Sequence, residues 1–95
     1  MAAYVVADIV VKDTAKYDDY KRGVSATVEK FGGRFLVRGG SAKTFEGDWR
    51  PERLIIIEFP DMASLEGWYR SADYGPLLSL RLAASDGRLI AIEGT

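Results

Sequence analysis

The sequence predicts an α+β fold in which four strands form one antiparallel sheet and the helices pack against a single face of it. Three observations point there. Strand-like and helix-like runs follow the order strand, helix, strand, strand, helix, strand. Each run carries its own start and stop residues. The strands are apolar on both faces, yet the helices suffice to cover only one.

Residues 4–11 (YVVADIVV) are rich in β-branched side chains and read as the first strand. Asp13 or Thr14 is placed to cap a helix over about 15–30, because a side-chain oxygen there accepts an orphan backbone N–H. Tyr17, Tyr20, Val24, Val28 and Phe31 recur at three- and four-residue steps and make one apolar stripe. Gly32 supplies the left-handed residue after the helix. The stretch 34–60 is the centre of the chain. Its first run, 34–38, is a strand; Gly39-Gly40 is expected to bend or bulge it before a short continuation over 42–46. Residues 47–51 (GDWRP) reverse the chain into a third strand, 53–59, which Pro60 ends.

Asp61 then suits the N-cap of a second helix with Met62, Leu65, Trp68 and Tyr69 on one face. Residues 71–74 interrupt it, and Gly75-Pro76 fits the first turn of another segment. Leu77, Leu78, Leu80 and Leu82 form too broad an apolar cluster for a surface helix, so that segment is expected to be largely covered. Asp86-Gly87 is expected to turn the chain into a last strand, 88–93. With the second helix split, the order is β-α-β-β-α-β. This is the ferredoxin-like plan, one domain over residues 1–95.

Composition narrows the function classes. A net charge of -1 supplies no basic footprint, so no nucleic-acid partner is expected. The absence of cysteine excludes disulfides, thiolate chemistry and zinc–thiolate sites. The absence of histidine removes Ser-His-Asp triads and imidazole-ligated haem or zinc. Any catalysis therefore rests on Asp, Glu, Tyr, Lys, Arg or Ser. No bound cofactor or metal is expected, and a metal, if one bound, would be a hard, oxygen-ligated ion. The apolar start has no basic n-region, is broken by Asp8, and is far shorter than the ~20 residues of a membrane span. It reads as a first strand, with a cytoplasmic location and no membrane contact expected.

Alternation places Val5, Ala7, Ile9, Val11, Phe35, Val37, Ile55, Ile57, Phe59, Ile90 and Ile92 on the face that takes the helices. The opposite set is Tyr4, Val6, Asp8, Val10, Leu36, Arg38, Leu54, Ile56, Glu58, Leu89, Ala91 and Glu93. That second face is also mostly apolar, and a monomer would expose more of it than the few hundred Å² usual for a single chain. Its natural cover is the same face of a second copy. Two such sheets enclose a barrel-like interior, so a homodimer through the open sheet face is expected.

The site expectation follows from the charges on that face. Asp8 or Glu58 would serve as a base and Arg38 would grip an anion, in a pocket between sheet and helices or between subunits. The competing reading has Arg38 paired with a carboxylate across the interface, setting register alone. Trp49 and Arg53 flank the hairpin turn. Trp68, Tyr69 and Tyr74 cluster at the helix break, and Arg81 is a charge within a covered segment. These six are candidates for ligand contact, with aromatic core packing the alternative for the rings. Tyr17 and Tyr20 read as core first and hydroxyl donors second. A small aromatic or anionic metabolite is the expected ligand, and a non-catalytic dimeric module is the alternative function.

The runs Gly32-Gly33-Arg34-Phe35-Leu36-Val37-Arg38-Gly39-Gly40, Phe45-Glu46-Gly47-Asp48-Trp49 and Glu58-Phe59-Pro60 resemble those of the domain-of-unknown-function family 1330. Arg53-Leu54, Trp68-Tyr69-Arg70-Ser71, Tyr74 and Leu80-Arg81-Leu82 extend the resemblance over essentially the whole chain. It implies a dimeric α+β barrel of ferredoxin-like subunits and no assigned reaction. Looser relatives in fold include cofactor-independent monooxygenases, muconolactone isomerases and haem-degrading enzymes. Fold likeness alone does not carry their chemistry across.

Overall fold

Asp13 sets where the first helix begins: its side chain accepts the Lys16 N–H at 3.1 Å while its own backbone stays extended. A computed structural model describes residues 1–95 and gives the order β1 (Ala3–Val11), α1 (Thr14–Lys30), β2 (Arg34–Arg38), β3 (Leu54–Phe59), α2 (Met62–Tyr69), α3 (Gly75–Ala84) and β4 (Ser85–Glu93). Asp61 repeats the capping device at α2, accepting from Ser64 N at 2.7 Å. The strands form a single antiparallel sheet in the order β2-β3-β1-β4. This is the ferredoxin-like arrangement that the order of elements predicts.

All three helices lie on one face. Val5, Ala7 and Ile9 of β1 and Ile55, Ile57 and Phe59 of β3 are buried beneath them. From above, α1 contributes Tyr17, Tyr20, Val24 and Val28, while Leu65, Trp68 and Tyr74 close the layer. Gly23 lets α3 approach α1, since a Cβ there would stand 3.0 Å from a Leu77 methyl.

Four details differ from the sequence expectations. First, β4 begins at Ser85, directly after α3, and Asp86 and Gly87 lie inside the strand opposite Val10 and Ile9. Gly87 serves close approach and not a turn: a Cβ there would meet Ile9 Cδ1 at 2.6 Å.

Second, pairing with β1 puts Leu89 and Ala91 on the helix side and Ile90 and Ile92 on the open side, the reverse of the expected assignment. Both sets are apolar, so alternation alone did not distinguish them; the register with Ala7 and Val5 does. Glu93, opposite Ala3, moves to the helix side with Leu89.

Third, the bulge in β2 falls between Phe35 and Val37 and not at Gly39-Gly40. Phe35 pairs with Ile57 on the helix side, Val37 with Ile56 on the open side, and Arg38 with Ile55 on the helix side again. One extra residue reverses the alternation, and Arg38 crosses to the face opposite the one expected.

Fourth, residues 42–46 form no strand. Both edges of β3 are already taken, by β2 and β1, so the 39–53 segment runs as a loop. Within it Thr44 Oγ1 donates to Trp49 O at 2.6 Å.

Candidate functional site

The bulge places Arg38 in a cleft with two other arginines. Arg53, immediately before β3, follows the alternation to the same side, and its guanidinium lies over the Tyr17 ring at 5.5 Å. Gly39, with φ of 75°, leaves the room: a Cβ there would come within 2.6 Å of Arg53 Nη1. Arg81, in the last turn of α3, enters from the other end and is only 6% exposed. Lys21 adds a fourth cation at the α1 side. The floor is the sheet, including Ala7, Ile55 and Ile57, and the roof carries Tyr20, Trp68 and Tyr74. The enclosed space is about 30 Å³, more than the ~10–15 Å³ that admits a water.

No acidic residue lines this cleft. The six ion pairs of the fold use other cations or, for Lys21, the neighbouring Asp18 at 3.7 Å. Arg38, Arg53 and Arg81 have no carboxylate within ion-pair distance. Arg38 instead donates to Ser25 Oγ at 3.0 Å and to Lys21 O at 3.2 Å, and stands 4.3 Å over the Phe35 ring. Arg53 Nε is buried with no acceptor at all. Arg81 Nε donates to Tyr74 Oη at 3.3 Å. The α3 C-terminal dipole offsets part of the Arg81 charge. A buried guanidinium without a counter-ion is otherwise costly, by several kcal/mol.

The phenols extend the donor array. Tyr20 Oη and Tyr74 Oη are 3.0 Å apart, and one of the two donates to the other. Burial first, then Tyr74, pushes the Tyr20 phenol far above its ordinary value, so it stays a neutral hydroxyl. Trp68 stacks on Tyr74 with centroids 4.1 Å apart and donates from Nε1 to Thr27 Oγ1 at 3.0 Å. That bond turns the indole N–H away as a structural contact and leaves its ring as wall.

The other sequence candidates lie elsewhere. Glu58 is on the open face, with both oxygens engaged: Arg34 Nε donates to Oε1 at 2.8 Å and Tyr4 Oη to Oε2 at 3.2 Å. The Arg34 hydrogen bond, with a smaller contribution from Tyr4, holds its carboxyl below the usual range despite partial desolvation. Such a carboxylate is poorly set up as a base. Asp8 is also on the open face, opposite Leu54 and Arg88. Trp49 Nε1 donates to its Oδ2 at 2.9 Å, Arg88 stands 3.8 Å away, and Oδ1 is buried without a partner. With Arg50 they border a broad groove of about 580 Å³ on that face.

The expected trio of Asp8, Arg38 and Glu58 is therefore divided between the two faces of the sheet, for the reason the bulge supplies. Arg38, Arg53, Trp68, Tyr74 and Arg81 converge; Trp49 does not join them. Tyr69 packs 5.9 Å from the Tyr74 ring without lining the cleft. Three lining residues with polar side chains were not among the candidates: Tyr17, Tyr20 and Lys21. The signal was present, since two phenols on the inward stripe of a helix over a sheet bring hydroxyls into the core. No group of three or more His, Cys, Asp or Glu is placed to hold a metal ion, and no helix is long and apolar enough to cross a membrane.

The fold is shared with solved structures of low identity. A protein of unknown function from Rhodopseudomonas palustris matches with a TM-score of 0.81 at 20% identity, over 99% of this chain and 82% of that one. A dimeric ferredoxin-like protein of unknown function from Jannaschia sp. CCS1 matches with a TM-score of 0.73 at 10% identity, over 99% and 100%. SnoaB, a cofactor-independent oxygenase from Streptomyces nogalater, matches with a TM-score of 0.63 at 10% identity, over 99% and 93%. Comparison with curated protein sequences gives no match. The family comparison covers residues 2–95, all but the first residue: the chain belongs to the family described as Domain of unknown function (DUF1330).

Proposed function

We propose that this protein is a homodimeric binding protein for a small organic anion, held in the cleft between the sheet and the helices. One observation carries the reading: Arg38, Arg53 and Arg81 line a single cleft that contains no carboxylate. A fold this small gains nothing in stability from three unpaired guanidinium groups, one of them buried. An anion supplies the missing counter-charge; the space of about 30 Å³ takes its charged end, and its uncharged body extends into the mouth of the cleft. The likeness to a cofactor-independent oxygenase is in keeping with a cleft that works without a bound cofactor.

The homodimer half of the reading rests on the open face. Ile90, Ile92 and Leu36 are 59%, 53% and 46% exposed there, beside Val6 and Ile56. The dimeric Jannaschia protein of the same fold supports a second copy as the cover. The alternative, a dimeric module that binds no ligand, uses this same face and leaves the three arginines without a counter-charge.

Thermal-shift measurements on the full chain with a panel of organic anions and their neutral analogues test the ligand. Some anions should raise the melting temperature where their neutral analogues do not. The shift should shrink in Arg38→Ala and Arg53→Ala, with affinity about tenfold weaker in each. Shifts that survive both substitutions unchanged, or a panel in which no anion acts, would remove the reading.

A further inference from the structure

The inner end of the cleft shows which kind of anion it suits. An arginine nitrogen only donates, so Tyr74 Oη accepts from Arg81 Nε. Tyr20 and Tyr74 share one hydrogen bond between them, which uses one of their two phenolic protons. The other proton has no protein acceptor, whichever ring carries it. The Arg81 Nη groups and the buried Arg53 Nε–H likewise lack hydrogen-bonded acceptors. Polar groups are thus present in surplus as donors, and the only acceptors among the lining side chains are three phenol oxygens, of which Tyr20 and Tyr74 are engaged and Tyr17 makes no hydrogen bond. The remaining walls, such as Val5, Ala7 and Val24, offer no hydrogen bonds.

We propose that Tyr20, Tyr74 and Arg81 form a clamp for the carboxylate of a short carboxylic acid whose remainder is apolar and uncharged, and that the same cationic, carboxylate-free lining rejects α-amino acids. This rests on the anion-binding reading and narrows it. A carboxylate is acceptor-only and planar, which suits one guanidinium edge and one phenolic proton. An α-ammonium group brought in with it would find no carboxylate and only one unengaged phenol oxygen, Tyr17 Oη, and would face Arg81 and Arg53 as like charges. Inorganic phosphate carries more charge and needs more donors than this end supplies. The space of about 30 Å³ holds about two waters, so it takes the carboxylate alone, and the tail lies in the mouth at Lys21 and Arg38.

Titration calorimetry on the full chain with butyrate, butyramide, 2-aminobutyrate and inorganic phosphate, at constant ionic strength, tests this. Butyrate should bind, with the other three at least about tenfold weaker. Tyr20→Phe and Tyr74→Phe should each weaken butyrate severalfold, and Arg81→Met by about tenfold or more, with melting curves recorded on every variant. Should Arg81→Met fail to fold, the two phenylalanine variants, which keep ring packing, still decide the matter. Equal binding of 2-aminobutyrate or phosphate would overturn the clamp. So would butyrate binding that is indifferent to both phenylalanine variants but lost in Arg38→Ala; the broader anion reading would then stand. If no organic anion binds, both fall together.

Discussion

Glu58 shows how one carboxylate on a bare sheet face is kept in order. Its two oxygens accept from Arg34 and Tyr4, neighbours on the adjacent strands β2 and β1 in direct register with it. Because the Arg34 hydrogen bond lowers its folded-state pKa, Glu58 contributes stability that is fully present above the ordinary carboxylate value. That contribution is lost as pH falls through the lowered folded value. Asp61 behaves alike, held down by the Ser64 backbone N–H it caps. Glu58→Gln should therefore flatten the fall of melting temperature on acidification, with the difference from wild type shrinking below the folded pKa. Thermal melts from pH 7 to pH 2 check it; parallel curves would mean that Glu58 makes no linked contribution. The hydroxyl of Tyr4 has the opposite sense. Its hydrogen bond to Glu58, ahead of burial and the Glu58 charge, raises its pKa, so its share of stability is lost only at alkaline pH.

At the scale of the element, β2 decides which face of the sheet carries Arg38. A strand of five residues with no bulge would put Arg38 on the open face, the one that carries Glu58, as strict alternation implies. The extra residue at Leu36–Val37 delivers it to the helix side, and Gly39 then leaves space for Arg53. Gly39→Val should lose about 1–3 kcal/mol through strain at positive φ and collision with the Arg53 guanidinium. It should also weaken anion binding, whereas Gly40→Val, which meets nothing within 4 Å, should do neither. Urea unfolding of the two variants separates these outcomes. The same element marks the limit of what could be read from sequence. Order, caps and inward stripes were legible because each is local: Asp13 and Asp61 name their helices, and Tyr17, Tyr20 and Val24 name a face. A bulge is a property of pairing, and nothing in Phe35-Leu36-Val37-Arg38 distinguishes it from a straight strand. The frame of β4 was hidden for a related reason, since Leu89 and Ile90 are equally apolar and only the register with β1 chooses between them. Arg38, Arg53 and Arg81 could each be singled out, but that they share one cleft is a tertiary fact.

The whole molecule is a slab of 36 × 34 × 16 Å, one layer of sheet and one of helix. Its free sheet face is therefore broad enough for the ~800 Å² that each partner contributes to a stable interface. Ile90 and Ile92 lie on β4 with Val6 and Tyr4 beside them on β1, so the apolar surface is continuous across neighbouring strands. Burying each large side chain yields about 1.5–3 kcal/mol before the costs of association. Two lysines at positions 90 and 92 would set charges against their own copies across a face-to-face dimer. Ile90→Lys with Ile92→Lys should then sediment at the mass of one chain where the wild type sediments at two, at micromolar concentration. Both side chains are already more than half exposed in the single subunit, so its own core should survive the change. The arginine-lined cleft lies on the far side of the sheet, so the anion binding proposed for it should persist in the monomeric variant. A wild-type chain that sediments as a monomer with this face open would remove the dimer and leave the cleft as a property of one subunit.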